Sequence, residues 1–162
     1  MSNRILVRSD RMGIRLAQFV IERLRRRGDD AELIDAKTIN LPILDRMYKE
    51  YPKGEAPEAL ERLARKIREA DGFVFVTGEY NWGVQAGLKN LTDHFLEEWF
   101  WRPAAVVSYS AGRFAGVRAA TAWHAILSEM GMVVVSSTIA VGPIGQTLSA
   151  ESRTRGRGRP SD

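Results

Sequence analysis

Short apolar segments alternate with segments of helical periodicity along most of this chain, and this alternation constrains its fold more than any other feature. Five apolar segments are predicted strands, at residues 4–7, 31–36, 72–77, 104–109 and from 132 toward Val141. Four helices are predicted between them, at about residues 13–27, 57–70, 86–99 and 116–130. Strands that alternate with helices form a parallel sheet covered on both faces, so the sequence predicts an α/β protein.

The number of strands narrows the topology further. Right-handed crossovers leave few arrangements, and for five strands the natural one is a flavodoxin-like three-layer sandwich with a five-stranded parallel sheet of order 2-1-3-4-5. In that order, the loops after the first, third and fourth strands meet at one edge of the sheet. Open α/β sheets bind ligands at this edge, so we expect the functional residues there.

Composition indicates one domain and a tail. The chain has 162 residues, and 44% of them are hydrophobic, which supplies a substantial core. We predict a folded domain at 1–146 and a disordered tail rich in Arg, Gly and Ser at 147–162. No helical pattern follows residues 142–145, so a fifth helix is missing.

A connector at about residues 41–54 has no clear period, which indicates a functional or surface-covering role.

Several function classes are excluded or disfavoured. The chain has no cysteine, which rules out disulfides, thiolate nucleophiles and cysteine-bound metal. His94 and His124 lack partners at ligand spacing, and no serine lies in a nucleophile elbow, so we predict neither a metal site nor a catalytic side chain. No membrane span or signal peptide is evident, which makes the cytoplasm the default location. The net charge is +4, but no aromatic–basic interleaving indicates a nucleic-acid partner.

Loop one, residues 8–13, follows the first predicted strand and carries groups that bind phosphate. Arg8 and Arg11 supply positive charge, Ser9 supplies a hydroxyl donor, and the next helix begins with unpaired amides. The alternative is that Ser9 or Asp10 only caps the helix. The loop is neither a P-loop nor GxGxxG, which disfavours a nucleoside triphosphate or a dinucleotide in the usual mode.

Loop two, residues 78–83, follows the third predicted strand and suits a flat ring. A planar heteroaromatic ligand needs hydrogen bonds to its edge and apolar or aromatic cover on a face. Asn81, Trp82 and Gly83 offer closely spaced amides and an indole. The alternative is a surface turn in which Tyr80 and Trp82 pack on neighbouring residues.

Loop three, residues 108–116, follows the fourth predicted strand. Its small residues Ser110, Ala111 and Gly112 let a ring lie close to the backbone. The alternative is a glycine-rich connection in which a serine caps the next helix. One phosphate loop and two loops suited to a ring are what a mononucleotide needs, and FMN is the candidate.

The motifs at these loops resemble a known family. Residues 79–81, followed by 88–90 and Asp93, match the Pro-Glu-Tyr-Asn…Leu-Lys-Asn…Asp pattern of the NADPH-dependent FMN reductase family. Residues 108–112 with Gly116 are similar to its second flavin loop. The similarity runs from about Ile5 to Val141. It implies a flavodoxin-like fold.

The resemblance also implies roles for individual residues. Loop two would hold the isoalloxazine edge, largely through its backbone, and loop three would border the ring or its ribityl chain. The phosphate would lie in loop one. The residues expected to bind the cofactor are Arg8, Ser9, Arg11, Met12, Gly13, Glu79, Tyr80, Asn81, Trp82, Gly83, Ser110, Ala111 and Gly112.

The activity implied by the resemblance belongs to the flavin. NADPH or NADH would give a hydride to FMN, and a small acceptor would leave with the electrons: a flavin, a quinone, a metal oxyanion, or an azo or nitro compound. Helix 86–99 ends in aromatic residues, with Phe100 and Trp101 just beyond it. These residues either pack in the core or form the surface of a homodimer or homotetramer, as is common in the family.

The chain departs from the family pattern at four places. Loop one is shortened, because Arg8 follows the strand without the usual Gly-Ser. Gly78 replaces a proline, and Gly83 and Gln85 replace a small polar residue and a second proline. The C-terminal helix is missing. Two alternatives to a reductase therefore stay open: a flavodoxin-like electron carrier without a nicotinamide site, and a truncated member that has lost FMN. The basic charge favours the reductase, since it attracts the phosphates of NADPH.

Overall fold

Helices and three parallel strands make up the part of the chain that the structure, a computed structural model, describes: residues 12–148. The elements are α1 Met12–Arg26, α2 Ala36–Ile39, α3 Glu58–Glu69, β1 Phe73–Gly78, α4 Ala86–Asp93, β2 Pro103–Tyr109, α5 Val117–Glu129, β3 Val133–Val141 and α6 Ile144–Thr147. Two 3-10 turns lie at Tyr48–Glu50 and Glu97–Trp99. None of the helices in this range has the length and apolar character that a membrane crossing requires.

The three strands lie side by side in the order β1-β2-β3, all parallel. Gly78 at the end of β1 is in register with Tyr109 at the end of β2, and Tyr109 is in register with Val141 at the end of β3. The carboxyl ends of the strands therefore form one edge. Loops two and three leave the sheet from adjacent positions on that edge.

Helices cover both faces of this sheet. On one face, buried residues of α3, α4 and α5 pack around Phe73 and Phe75, with Trp99 edge-on to Phe73 at 5.1 Å and Trp123 stacked on Phe75 at 5.6 Å. On the other face, Leu16 of α1 and residues of α6 form a second cluster with Val76 and Val107. The predicted α/β architecture with helices on both faces is confirmed.

The predicted helix 86–99 is wrong in its second half, because α4 ends at Asp93. The backbone at Leu96 leaves the helical region, with φ −135° and ψ −70°. This break lets the indole of Trp99 turn back into the core, where its Nε1 donates to the carbonyl oxygen of Thr92 at 3.1 Å. Burial of Trp99 and Phe95 therefore overrides the helical spacing of the sequence.

The described sheet has three strands and not the predicted five. Residues 31–35 do not form a strand within the described part of the chain, and Ala36 begins α2 rather than ending a strand. Asp35 caps that helix, because its Oδ1 accepts a hydrogen bond from the amide of Lys37 at 3.2 Å. A strand needs a hydrogen-bonded neighbour, and the predicted neighbour, residues 4–7, lies outside the described residues.

The chain continues as a short helix where the sequence predicts no helical pattern. α6 is a single turn, Ile144–Thr147, and it is too short to give a period in the sequence. Ile144 and Leu148 are buried in the cluster around Leu16. Leu148 lies two positions beyond the predicted boundary at 146. The rest of the predicted tail, residues 149–162, lies outside the described residues.

The long connector is fastened to the domain at Pro42, Leu44 and Tyr48. The side chain of Asn90 on α4 accepts a hydrogen bond from the amide of Leu44 at 2.9 Å and donates one to the carbonyl of Pro42 at 2.8 Å. Further along, the Tyr48 hydroxyl donates to Glu61 at 2.7 Å. Burial, and after it this bond to Glu61, raises the pKa of Tyr48, so the phenol is kept as a donor. The asparagine of the Leu-Lys-Asn motif thus holds the connector.

We expect Asn90→Ala to lower the free energy of unfolding by about 1–2 kcal/mol, because it removes two hydrogen bonds to the connector. Limited proteolysis should then cleave the connector faster, and urea denaturation gives the energy. The control is Lys89→Ala, which breaks only the half-exposed pair with Asp93 on the same helix and should cost at most about 0.5 kcal/mol. Equal protease sensitivity of the two variants would show that Asn90 does not hold the connector.

Candidate functional site

The ends of all three strands meet at the edge where the sequence places the site. The amide of Ser110 donates to the carbonyl of Val141 at 3.3 Å, and the amide of Ile144 donates to Ser110 at 3.0 Å. Loop three is thereby joined to the end of β3. Met12, the first residue of α1, packs in the cluster that contains Tyr109 and Val141. Of the predicted phosphate loop, Met12 and Gly13 are placed near this edge, and Arg8, Ser9 and Arg11 lie outside the described residues.

Loop two folds as a tight turn with unusual backbone. Tyr80 and Gly83 exchange backbone hydrogen bonds of 3.1 and 2.8 Å. Between them, Asn81 and Trp82 have φ of 46° and 72°, the positive values that a type I′ turn requires. Asparagine tolerates this region, but tryptophan rarely adopts it. Strained backbone of this kind is typical of functional sites.

This turn presents donors and an aromatic surface to solvent. The amides of Asn81 and Trp82 donate to no acceptor among the described residues. Trp82 is 71% exposed and its indole contacts the Arg118 guanidinium, so the alternative of a surface turn whose aromatic residues pack on neighbouring residues stays open. The loop therefore offers two adjacent N–H groups and an exposed indole.

The Glu79 side chain connects loop two to α5. Its carboxylate accepts from the Arg118 guanidinium at 2.6 Å and from the Arg118 amide at 3.3 Å. A carboxylate is favoured in the first turn of a helix, where amides are unpaired and the dipole is positive. The same guanidinium lies 4.0 Å from the ring centroid of Trp82 and 4.7 Å from that of Phe114. One arginine thus fixes both loops.

The sequence analysis missed Arg118 and Phe114. Glu79 and Arg118 are separated by 39 positions, and no spacing rule relates residues so far apart. The only available signal was topological, since the third and fourth predicted strands are neighbours in the predicted sheet order. That order places the start of the fourth predicted helix beside loop two.

We expect Arg118→Met to destabilise the protein by about 1–2 kcal/mol, because the Glu79 carboxylate, only 11% exposed, loses its cation. Indole fluorescence should become easier to quench with acrylamide as Trp82 loses its stacking partner. The control is Arg62→Met, which breaks an exposed pair with Glu58 and should change stability by less than about 0.5 kcal/mol. If both variants unfold at the same urea concentration, the contact does not hold the site together.

Loop three leaves a row of amides unpaired. Within residues 12–148, no acceptor faces the N–H groups of 111–114. The serine hydroxyls donate to carbonyls, Ser108 to Ala115 at 2.8 Å and Ser110 to Gly112 at 2.9 Å. The expected alternative of a serine cap on the next helix is therefore wrong, because Glu79 provides that contact. Loop three presents backbone donors beside those of loop two.

Two departures from the family pattern, Gly78 before loop two and Gln85 after it, both contact Tyr109. A Cβ at Gly78 would lie 2.9 Å from the Tyr109 ring, so the phenol occupies the space that a larger residue would take. Gln85 is buried, and its Nε2 donates to the Tyr109 hydroxyl at 3.2 Å. Tyr109 thus ties both ends of loop two to β2 in the absence of the two prolines.

These groups fit a flat, acceptor-rich ring better than a metal. An isoalloxazine edge carries carbonyl oxygens and ring nitrogens that accept hydrogen bonds. Six N–H groups of the two loops have no acceptor within residues 12–148. Among the described residues, no group of three or more His, Asp or Glu side chains could hold a metal ion. His94 and His124 lie elsewhere, bonded to Asn90 and Thr138.

Known proteins with similar sequences include NAD(P)H-dependent FMN reductases and quinone reductases. The sequence profile of the family described as NADPH-dependent FMN reductase matches residues 6–146. The NAD(P)H-dependent FMN reductase ntnL of Nectria sp. is 32% identical over 145 residues, 83% of this chain and 67% of that protein. The NAD(P)H-dependent FMN reductase LOT6 of Saccharomyces cerevisiae is 33% identical over 117 residues, 72% of this chain and 54% of that protein. The chain therefore spans about half to two thirds of the length of these relatives.

Solved structures agree on the fold. FerB, a flavoenzyme NAD(P)H:(acceptor) oxidoreductase from Paracoccus denitrificans, superposes with a TM-score of 0.76 at 21% identity, covering 94% of this chain and 84% of FerB. A flavodoxin mutant from Pseudomonas aeruginosa superposes with a TM-score of 0.55 at 17% identity, covering 90% and 86%. The fold is thus flavodoxin-like, as predicted. Because the family profile extends over most of the same chain, from residue 6 to residue 146, the chain belongs to the NADPH-dependent FMN reductase family.

Proposed function

We propose that this protein binds FMN at the edge formed by loops two and three and passes electrons from NAD(P)H through it to a small acceptor. The observation that supports the proposal is the set of backbone donors at that edge that have no acceptor in the described part of the chain. Asn81 and Trp82 contribute two, and residues 111–114 contribute four. Unpaired donors beside an open surface suit a ligand with many acceptors.

Each loop has a part in holding the cofactor. The amides of Asn81 and Trp82 would bond the ring edge, with Glu79, Tyr80 and Gly83 fixing the turn that presents them. Ser110, Ala111 and Gly112 would border the ring or its ribityl chain. The phosphate would lie at the start of α1, where Met12 and Gly13 begin a 15-residue helix and Arg8, Ser9 and Arg11 precede it.

FMN supplies the redox chemistry when bound, since it takes up a hydride and releases two electrons to a second substrate. The chain would orient NAD(P)H and the acceptor relative to FMN and would set the electrostatic potential around the flavin ring. The Glu79 carboxylate is already bonded to Arg118, so it is not available as a base in this arrangement. No side chain need act as an acid or base, and the polypeptide contributes through backbone donors and the Arg118 clamp.

The acceptor belongs to a broad class. A free flavin, a quinone, a metal oxyanion, or an azo or nitro compound would reach an edge flanked by the exposed rings of Trp82 and Phe114. Arg113 stacks on the Phe114 ring and adds positive charge to this surface, whereas the charge of Arg118 is paired with Glu79. Flat conjugated molecules and anions, including the phosphates of NADPH, are compatible with such a surface.

We also propose that the sheet has the five strands that the family suggests. Residues 4–7 and 31–35 would complete a sheet of order 2-1-3-4-5. In support, Ala31 and Ile34 are buried and Asp35 has extended backbone.

We propose, in addition, that the protein self-associates as a homodimer or homotetramer. Self-association would cover Trp101, which is 82% exposed beside the half-exposed Phe100. Light scattering coupled to size-exclusion chromatography measures the oligomeric state, and a monomer at micromolar concentration would contradict this part.

The function is tested with the purified full chain after reconstitution with FMN. We expect a bound-flavin absorbance band near about 450 nm, bleaching by NADPH or NADH under anaerobic conditions, and reoxidation by added quinone. A colourless protein that cannot be reconstituted would contradict the flavin site. Bound FMN that neither nicotinamide bleaches would contradict a reductase and identify an electron carrier.

A further inference from the structure

The last strand of the described sheet, β3, exposes an apolar surface. Val133 is 55% exposed, Val135 49% and Ile139 63%. The strand contains no charged residue and no proline, although such residues usually protect a strand at the edge of a sheet. Within residues 12–148, β3 pairs with β2 alone, so its other side is the end of the described sheet. Parallel sheets are ordinarily covered on both faces, and exposed apolar area on one of them indicates a missing layer.

The register of the sheet shows which face of β3 is bare. Val133 is in register with Pro103, and Ile139 is in register with Val107. The two β2 residues are four positions apart, so their side chains and those of their register partners project from the same face. Val107 packs with Leu16 of α1 on that face. The bare area of β3 therefore lies on the face that α1 and α6 cover elsewhere, and neither helix extends over Val133 or Ile139.

The segments on either side of residues 12–148 do not offer a layer for this area. Residues 149–162 follow α6, but they contain no Val, Ile, Leu, Met or aromatic residue, and four of them are arginines. Such a segment has no apolar face to place on β3. Residues 4–7 are proposed above to extend the sheet beyond β1, which is at the opposite edge from β3. The apolar face of β3 therefore calls for a layer from another molecule.

A second copy of this chain suits the face better than an unlike protein. Partners that differ are commonly selected by complementary charge, and β3 has no charged side chain to select one. An interface with a twofold axis instead places the same surface on itself, and an uncharged apolar face does this without repulsion. The exposed Trp101 extends the surface, because its amide donates to the carbonyl of Gly131 at 2.8 Å, just before β3 begins.

We propose that β3 is the interface between two copies of this chain, with its bare face packed on the same face of the second copy around a twofold axis. Val133 and Ile139 lie toward the ends of the contact, and Val135 lies between them. Two sheet faces that pack in this way interdigitate their side chains and exclude water. The inference rests on the self-association proposed above and adds the surface that forms it.

A single cysteine tests this contact, because the chain has no cysteine of its own. Val135→Cys would lie near the twofold axis, so a short bismaleimide should link two copies of the full chain, loaded with FMN where it binds. The matched control is Ile43→Cys on the connector, which is equally apolar and 89% exposed. A denaturing gel measures the linked dimer. If Val135→Cys gives no more linked dimer than Ile43→Cys does, the proposal is overturned.

Replacing Val133, Val135 and Ile139 together by threonine keeps the β-branched shape and removes the apolar contact. We expect the dissociation constant of the oligomer to rise by at least about 100-fold, because six side chains across the axis lose apolar burial. Ile43→Thr is the control and should stay within about twofold. Light scattering coupled to size-exclusion chromatography over a dilution series measures both. Circular dichroism reports folding, and the cross-linking result decides if the triple variant does not fold.

The outcomes separate this interface from the proposals on which it builds. A monomeric unmodified chain contradicts self-association as a whole and overturns the interface with it. An oligomer that persists unchanged in the triple variant overturns the interface alone. Flavin absorbance of the same samples reports the FMN site independently. A colourless oligomer that the triple variant dissociates would thus support the β3 interface while contradicting the proposed flavin function.

Discussion

Replacing Gly116 by alanine is expected to lower the free energy of unfolding by about 2–5 kcal/mol. Two effects add at this position. The backbone has φ of 77°, which a residue with a Cβ adopts at a cost. A Cβ would also lie 2.6 Å from the carbonyl oxygen of Tyr109, inside contact distance of backbone that cannot rotate away. Either β2 or the start of α5 must move, and loop three connects the two.

The matched control for this substitution is Gly112→Ala in the same loop. No described atom lies within 4 Å of a Cβ at Gly112, so the change should be within about 0.5 kcal/mol. Urea denaturation of both variants gives the two values. Equal midpoints would mean that the tight contact at Gly116 does not limit stability.

Replacing Gly112 by leucine is expected to weaken FMN binding by at least about 100-fold, or about 2.7 kcal/mol, without loss of stability. Leucine would fill the open space beside the unpaired amides of 111–114, where the proposed ring or ribityl chain lies. The substitution acts on the ligand and not on the fold. Flavin fluorescence titration measures the affinity, and thermal denaturation of the protein without FMN measures stability.

The control for this second substitution is Gly145→Leu on α6. Gly145 likewise has no described atom within 4 Å of a Cβ, but it lies outside the two loops. It should leave the FMN affinity within about twofold of the unmodified protein. If Gly112→Leu binds FMN as tightly as Gly145→Leu does, loop three does not border the cofactor and the proposed site is wrong there.

Elements with strong periodicity were predictable from the sequence. α3 buries Leu60, Leu63, Ala64 and Ile67, the spacing of one helical face, and it begins and ends within a residue of the prediction. β1 and β2 are continuous apolar runs, as buried parallel strands are. α6 escaped prediction because one turn has no measurable period, and α4 was extended too far because Phe95 and Trp99 keep helical spacing across a break.

The family was predictable from the sequence, but the contacts within the candidate site were not. The predicted family is confirmed, and relatives that match the chain are named NAD(P)H-dependent FMN reductases. The two left-handed residues of loop two had no sequence signal, since Asn-Trp replaces the Asn-Gly that usually marks such a turn. The contact between Glu79 and Arg118 depends on strand order, which local patterns do not encode. The individual cofactor-binding residues stay predictions.

The clamp on Glu79 has a consequence for reduction potential. A lone carboxylate beside an FMN ring bound at the proposed edge would repel the electrons added to that ring and would favour the oxidised flavin. Here the negative charge is balanced by the Arg118 guanidinium at 2.6 Å and by an amide at a helix N-terminus. The edge proposed to bind FMN therefore carries a paired carboxylate, and Arg118 would lower the electrostatic cost of two electrons on a ring bound there.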